Sequence, residues 1–506
     1  MTSNFVEVDV KTQQSVEGVN FTAPGQLVIA NLDIDSVLIE STEISLWELS
    51  NYSAVEWWLT DYKFKVDDTN LEKVRGYLEA FHHLSEVEDW ERAVTIFSTE
   101  FNTATNVELH NLLGLWGYPR EQLNLYSRLL GKLNLVWDVI CLNGLGSVYD
   151  SLADYGKAID SFQQELTLVR KIGDREGEGH ILGNLGSVYL ALGNYSKAME
   201  FLKQSLMITR EIKDRYGESV VLSNLGLTFR GLNNFIKAIM YLEQSLAIDR
   251  EIDDRIGEGK VLGNLGLAFF SLRNYAKGLE YQQQHLVIAR EKGDRQGVGN
   301  ALGNIGTAYY FLKDYAKAID YQQQSLVIDQ EIENHSGVGE ALRSLGDVYK
   351  ALGDYTKAIE YQQQGLALAR EIGDRPGEAN ALGNLSDAYN AMENHAKVIE
   401  YQQQRLVVVQ EIGDRLAEIN TLGNLVIAYK NLAITFYRLE DYDSSNNCLD
   451  KWAECAHKFF AMALDNLWNA PPTQISILNI RNTFKEYWRF LKQIVSRLLW
   501  FKLSRG

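Results

Sequence analysis

The sequence predicts an all-α fold: a right-handed superhelical solenoid of antiparallel helix pairs. Three observations carry this. The chain has 506 residues, too many for one hydrophobic core, which stops growing at roughly 250–300 residues. Apolar residues make up 46% and prolines number only 5, as long uninterrupted helices require. Above all, the same residue types return every forty positions through seven copies. Such a period marks a stacked array, in which each unit buries its apolar face on its neighbours.

Residues 1–67 stand outside the pattern. QLVIANLDIDSVLIEST alternates apolar and polar residues and is rich in β-branched types, so short strands are expected, as a small β cap or an extended arm. Residues 20–25 read as loop. MTSNFVEVDVK has no basic segment leading into an apolar run, so no signal peptide is expected. No stretch reaches about 18 uncharged apolar residues, so no spanning helix is expected. Residues 68–142 hold degenerate units. Ala80, Leu84, Val87, Trp90 and Ala93 fit the repeat template, and Leu112, Leu115 and Tyr118 suggest a second.

Residues 143–422 contain seven regular units. Leu-Gly recurs at Leu145, Leu185, Leu225, Leu265 and Leu345, with Ile305-Gly306 and Leu385-Ser386 keeping the register. Ten residues on comes a ring (Tyr155, Tyr195, Phe235, Tyr275, Tyr315, Tyr355), except at His395; three further comes a small residue, except at Val398. Leu182, Leu185, Val188, Tyr189 and Leu192 fall on one face of a first helix, which Gly193-Asn194 breaks. Ala198, Met199, Phe201, Leu202, Leu206 and Ile208 mark the second helix. A Gly-Asp-Arg junction follows in most copies, where glycine stops one helix and aspartate caps the next. The small column lets the paired backbones approach closely. The YQQQ blocks at Tyr281, Tyr321, Tyr361 and Tyr401 read as a solvated outer face of the second helix.

A terminal unit, residues 423–465, carries Leu432, Leu439, Tyr442 and Leu449 in a register displaced by seven. Seven residues are about two helical turns, so a lengthened helix would keep the same face inward. Residues 466–506 read as a basic amphipathic helix. Phe484, Trp488, Leu491 and Val495 form an apolar stripe, and Lys485, Arg489 and Lys492 a basic one. This helix could cap the last repeat, lie on an anionic membrane surface, or meet a partner helix.

The repeat resembles the tetratricopeptide repeat family, through Leu185, Gly186, Tyr189, Tyr195 and Ala198. The period of 40 and the missing proline after the second helix depart from the usual pattern. The longer unit, the LGNLG core and the GDRxGE junction look like the Pins/LGN subclass, and are similar to long bacterial arrays that accompany signalling modules. The resemblance implies that Asn184, Asn224, Asn264, Asn304, Asn384 and Asn424 face a concave groove and bind peptide there. One amide can bridge the N–H and C=O of an extended chain. The alternative is that these amides bond neighbouring helices and stiffen the array. Gly144 and Ser344 interrupt the row, the second with Arg343 and Asp347 beside it. His180, Lys260 and Asn300 stand at the unit's second position, and Arg230, Phe270, Tyr310 and Lys350 at its twelfth. Arg230 and Lys260 suit an acidic partner residue, Phe270 and Tyr310 an apolar one.

Other classes find little support. The net charge of −18 disfavours a nucleic-acid partner. Residues 472–506 alone carry a local +6. Three cysteines, Cys141, Cys448 and Cys455, without CxxC, fit neither a disulfide framework nor a zinc site. GxxxxGK[ST], HExxH and GxSxG are all missing. The expectation is a cytoplasmic, non-enzymatic scaffold with no cofactor or metal, holding an extended segment of a protein partner. The alternative is an assembly protein that self-associates and docks peripherally on membrane through residues 475–503.

Overall fold

The computed structural model describes residues 24–34, 44–65, 67–101 and 107–469. The chain forms two units, residues 1–273 and 274–506. The first unit holds α1 (Pro24–Leu32), α2 (Leu46–Thr60), α3 (Asn70–Glu86), α4 (Trp90–Phe97), β1 (Glu100–Phe101), β2 (Val107–Glu108), α5 (Leu109–Leu115) and α6 (Pro119–Leu129). It continues with α7 (Leu135–Ser151), α8 (Tyr155–Ile172), α9 (Arg175–Ala191), α10 (Tyr195–Ile212), α11 (Arg215–Gly231), α12 (Phe235–Glu251) and α13 (Arg255–Ser271). The second unit holds α14 (Tyr275–Lys292), α15 (Arg295–Phe311), α16 (Tyr315–Glu331), α17 (His335–Ala351), α18 (Tyr355–Glu371), α19 (Arg375–Ala391), α20 (His395–Glu411), α21 (Arg415–Arg438) and α22 (Tyr442–Asn469). Each unit is a run of helices packed on their sequence neighbours, as a repeat array requires.

Each regular pair is closed by chemistry the sequence repeats. Aspartate caps the first helix: Asp174, Asp214, Asp254, Asp294 and Asp374 each accept the amide N–H three residues on, at 2.8–3.0 Å. A Cβ at Gly177 would stand 2.4 Å from the Asp174 carboxylate, while at the start of α21 Ala417 donates to Asp414 at 2.9 Å in the same position. Asn or Asp at positions 154, 194, 234, 274, 314, 354 and 394 caps the second helix in the same way. Within the pair, the Leu-Gly glycine lets the helices meet. A Cβ on Gly186 would lie 2.5 Å from Leu202, and one on Gly226 2.6 Å from Leu242. The small column beside it, Ala158, Ala198, Ala238, Ala318 and Ala358, is buried.

The amino-terminal strands expected from residues 26–42 are not found where the chain is described. Pro24–Leu32 is helical. The alternation misled because Val28 and Leu32 are also four apart, and both are buried in a core shared with Val55, Phe81 and Phe97. Arg92 donates from Nε to the Leu32 carbonyl at 2.5 Å, closing that helix's end. Two other helices here carry reciprocal Ser/Thr–Glu caps, at Ser45 with Glu48 and Thr69 with Glu72. The two-residue hairpin β1–β2 pairs Glu100 with Glu108 and Phe101 with Val107. At the other end, α21 is 24 residues long where α19 has 17. The displaced register is thus a helix lengthened by two turns.

Candidate functional site

Within each unit, successive first helices touch one another more extensively than successive second helices do. The first helices therefore form the inner wall of the stack. The column leucine of each first helix is buried in the core. The asparagine one residue before it lies about 100° round the helix and is half-buried at the inner wall, at Asn184, Asn224 and Asn264 in the first unit and Asn304, Asn384 and Asn424 in the second.

Two of the six spend an amide inside the protein. Asn224 Nδ2 donates to Ser187 Oγ on the preceding first helix at 3.4 Å, and Asn384 Nδ2 to Gln362 Oε1 at 3.3 Å. The side chains of Asn184, Asn264, Asn304 and Asn424 make no hydrogen bond among the described residues. They present a donor and an acceptor at the surface, the pairing an extended backbone offers in return. The interruption at Gly144 has a steric cause: a Cβ there would stand 2.2 Å from the Tyr126 ring.

The neighbouring positions divide by exposure. Lys260 and Asn300 are exposed; His180, Arg230, Phe270, Tyr310 and Lys350 are half-buried. His180 Nε2 stands 3.4 Å from the Asp214 carboxylate. Burial pushes the Arg230 guanidinium below its ordinary basicity. At the Ser344 interruption the wall turns ionic. Arg343 lies 3.6 Å from Asp347, and Lys350 lies 3.4 Å from Asp347 and 4.0 Å from Asp387. The stripe residues Phe484, Trp488, Leu491, Val495, Lys485, Arg489 and Lys492 lie outside the described residues.

The glutamine blocks require a correction. The second and third glutamines of each block face outward, exposed or half-buried, but the first is buried: Gln282, Gln322, Gln362 and Gln402. Their column holds Phe162, Leu202 and Leu242 in other copies, so the register carried the signal. At Gln322, Gln362 and Gln402 the buried amide nitrogen is hydrogen-bonded. Gln322 Nε2 donates to the Gly303 carbonyl at 2.9 Å and Gln362 Nε2 to the Arg343 carbonyl at 3.1 Å. Where serine replaces the column glycine, Gln402 Nε2 donates to Ser386 Oγ at 2.9 Å.

Two arrangements escaped the sequence reading. His110 stacks on Phe97 at 4.2 Å, and its ring nitrogens stand 2.8 Å from the Tyr126 hydroxyl and 2.7 Å from Glu108 Oε2. These two contacts give both ring nitrogens of the buried imidazole a partner. The second is an ion cluster at the helix junctions. Arg170 Nε and Arg175 Nη1 donate to the two oxygens of Glu178, each at 2.7 Å, while Arg175 Nη2 reaches Glu211. The same pair of arginines grips Glu218, Glu258 and Glu378. The GDRxGE spacing encodes it, with the first arginine eight residues before the glutamate.

Among the described residues, no group of three or more His, Cys, Asp or Glu could hold a metal ion, and no helix is long and apolar enough to cross a membrane. A family profile described as tetratricopeptide repeat matches residues 138–211, 177–251, 258–331 and 337–411. No curated protein matches. Among solved structures, the chain is similar to a signal transduction ATPase with numerous domains that carries a tetratricopeptide repeat sensor, from Pyrococcus horikoshii. The two are 17% identical, with 90% of this chain and 69% of that one covered and a TM-score of 0.56. It is also similar to the apo form of the quorum sensor NprR from B. thuringiensis, at 15% identity, 77% and 100% coverage and a TM-score of 0.46. BtubC from P. vanneervenii is 20% identical, with 43% and 92% covered and a TM-score of 0.40. At 17% identity the likeness to the first of these speaks for the fold alone.

Proposed function

Because this chain belongs to the tetratricopeptide repeat family, we propose that it is a protein-binding scaffold whose inner wall takes an extended segment of a partner. The observation that carries this reading is the row of unspent amides. Four half-buried asparagines, Asn184 and Asn264 in one unit and Asn304 and Asn424 in the other, keep both donor and acceptor open to solvent. A residue serving only to stiffen the stack would spend its amide on a neighbouring helix, as Asn224 does on Ser187. In each unit, an amide that offers a donor and an acceptor together suits a peptide backbone and says little about its side chains. Selectivity then falls to the groups beside them. Lys260 and Arg230 favour an acidic partner residue, and Phe270 and Tyr310 an apolar one.

The test is partner capture by the full chain, with crosslinking to locate the contact. Each Asn→Ala change at 184, 264, 304 or 424 is expected to weaken capture about two- to tenfold, the worth of one neutral hydrogen bond. Helical content should not change. Crosslinks should fall on the first helices. Undiminished capture by the four-fold variant, with its circular dichroism unaltered, would remove the inner-wall reading.

A further inference from the structure

One copy of the junction keeps its arginines and lacks its glutamate. Glu178, Glu218, Glu258 and Glu378 each sit between two guanidiniums. The corresponding residue in α15 is Val298, while Arg290 and Arg295 stand where the two arginines stand elsewhere. Arg290 is exposed, and its guanidinium makes no ion pair or hydrogen bond among the described residues. Arg295 pairs through Nη2 with Glu331, the contact that Arg175 Nη2 makes with Glu211. The Nη1 that Arg175 gives to Glu178 has no counterpart acceptor at Arg295. At Val338, the next copy without the glutamate, Gln330 and His335 replace the arginines, so the vacancy and the cations coincide once.

A cleft of about 500 Å³ opens at this place between α14, α15 and α16. Val298 and Leu302 form its floor, exposed Val327 a wall, and Arg290, Arg295 and Asp320 part of its rim. Asp320 is held by Gln324 Nε2 at 2.9 Å and does not neutralise Arg290. The volume is larger than one glutamate side chain needs and lies in the range of ligand-binding clefts.

We propose that this outer-wall cleft binds a glutamate of a partner segment with an apolar residue beside it. The carboxylate would take up the forked contacts to Arg290 Nε and Arg295 Nη1 that Glu178 makes in its own copy. The neighbouring apolar side chain would rest on Val298, Leu302 and Val327. None of the row's asparagines lines this cleft, and the proposal does not depend on them.

The probe is fluorescein-labelled glutamyl-leucyl-leucine amide, with its glutaminyl counterpart, titrated into the full chain by anisotropy. The glutamyl probe should bind saturably, about tenfold more tightly than the glutaminyl one. Arg290→Gln should erase that difference. Val298→Glu should place the chain's own carboxylate between the arginines, abolish probe binding and raise the melting temperature. The rise should disappear when Arg290→Gln is added. Equal affinity for the two probes, no saturable binding, or unchanged binding by the Val298→Glu variant would each overturn the proposal. The Arg290→Gln arm decides the matter even if Val298→Glu fails to fold.

Discussion

Glu165 shows how far a single side chain departs from the repeat that surrounds it. It lies on α8 in the column that holds Ser205, Ser245 and Ser325 in other copies, and it is buried. Burial pushes its carboxyl up to about 8, opposed by the amide of Asn143, which donates to Oε2 at 3.4 Å. The native state therefore holds a proton that the unfolded chain releases near its ordinary 4.5. Between those two values folding takes up a proton, so stability falls as pH rises from 4.5 towards about 8 and is then level. Glu165→Gln keeps an acceptor for Asn143 and removes the proton. Relative to the variant, the wild-type melting temperature should drop across that window, by an amount reflecting a few kcal/mol. Parallel pH profiles for the two proteins would contradict this origin. The same residue-scale logic limits what the sequence could tell of the candidate site. The asparagine row was legible because it recurs. That Asn224 and Asn384 are spent and their fellows free depends on which side chain sits opposite, Ser187 or Gln362, and no column displays that pairing.

At the scale of the helix, the junctions are legible in the sequence because their chemistry is local. An aspartate followed three residues later by glycine caps the next helix wherever it occurs. The preceding stop is less uniform than its glycines suggest. The left-handed residue is Gly173, Gly293, Gly373 or Gly413 in four copies, but Lys213, Asp253 and Glu333 adopt the same positive φ, between 55° and 60°. The repeat geometry imposes that conformation on whichever residue stands there, at a cost of roughly 1–2 kcal/mol for a side chain with a Cβ. Lys213→Gly should therefore raise the melting temperature by an increment worth about 1 kcal/mol, and Gly373→Ala should lower it by a similar amount. A neutral result for Lys213→Gly would mean that the unfolded glycine's extra freedom cancels the relief of strain. The elements that escaped the reading are those whose pattern fits two periods. Val28 and Leu32 satisfy both an alternating strand and one face of a helix, and only their burial against Val55 and Phe97 chooses between them. The first glutamine of each YQQQ block was misplaced for the reverse reason. Its polarity argued for solvent, while its register with Leu202 and Leu242 argued for the core, and register prevailed.

Across the whole molecule, one forty-residue template is closed by two kinds of junction, and this makes its response to acid uneven. At Glu178 and Glu258, burial works against ionisation, but the flanking guanidiniums outweigh it and hold both carboxyls below the ordinary range. A depressed carboxyl contributes stability that is complete above its unfolded value of 4.5 and is lost as pH falls through the folded one. Protonation there leaves Arg170 with Arg175, and Arg250 with Arg255, beside each other without the carboxylate that joins them. At the position of these glutamates, α15 and α17 carry Val298 and Val338, which have no carboxyl to protonate. Amide hydrogen exchange of the full chain, expressed as protection factors to remove the intrinsic effect of pH, should separate the two. On acidification below 4.5, protection should fall first at the starts of α9 and α13, while the starts of α15 and α17 hold. Val298→Glu should convert the start of α15 to the acid-sensitive behaviour. Uniform loss along the chain would mean instead that the stack melts as one cooperative body and that its closing ions are not where acid enters.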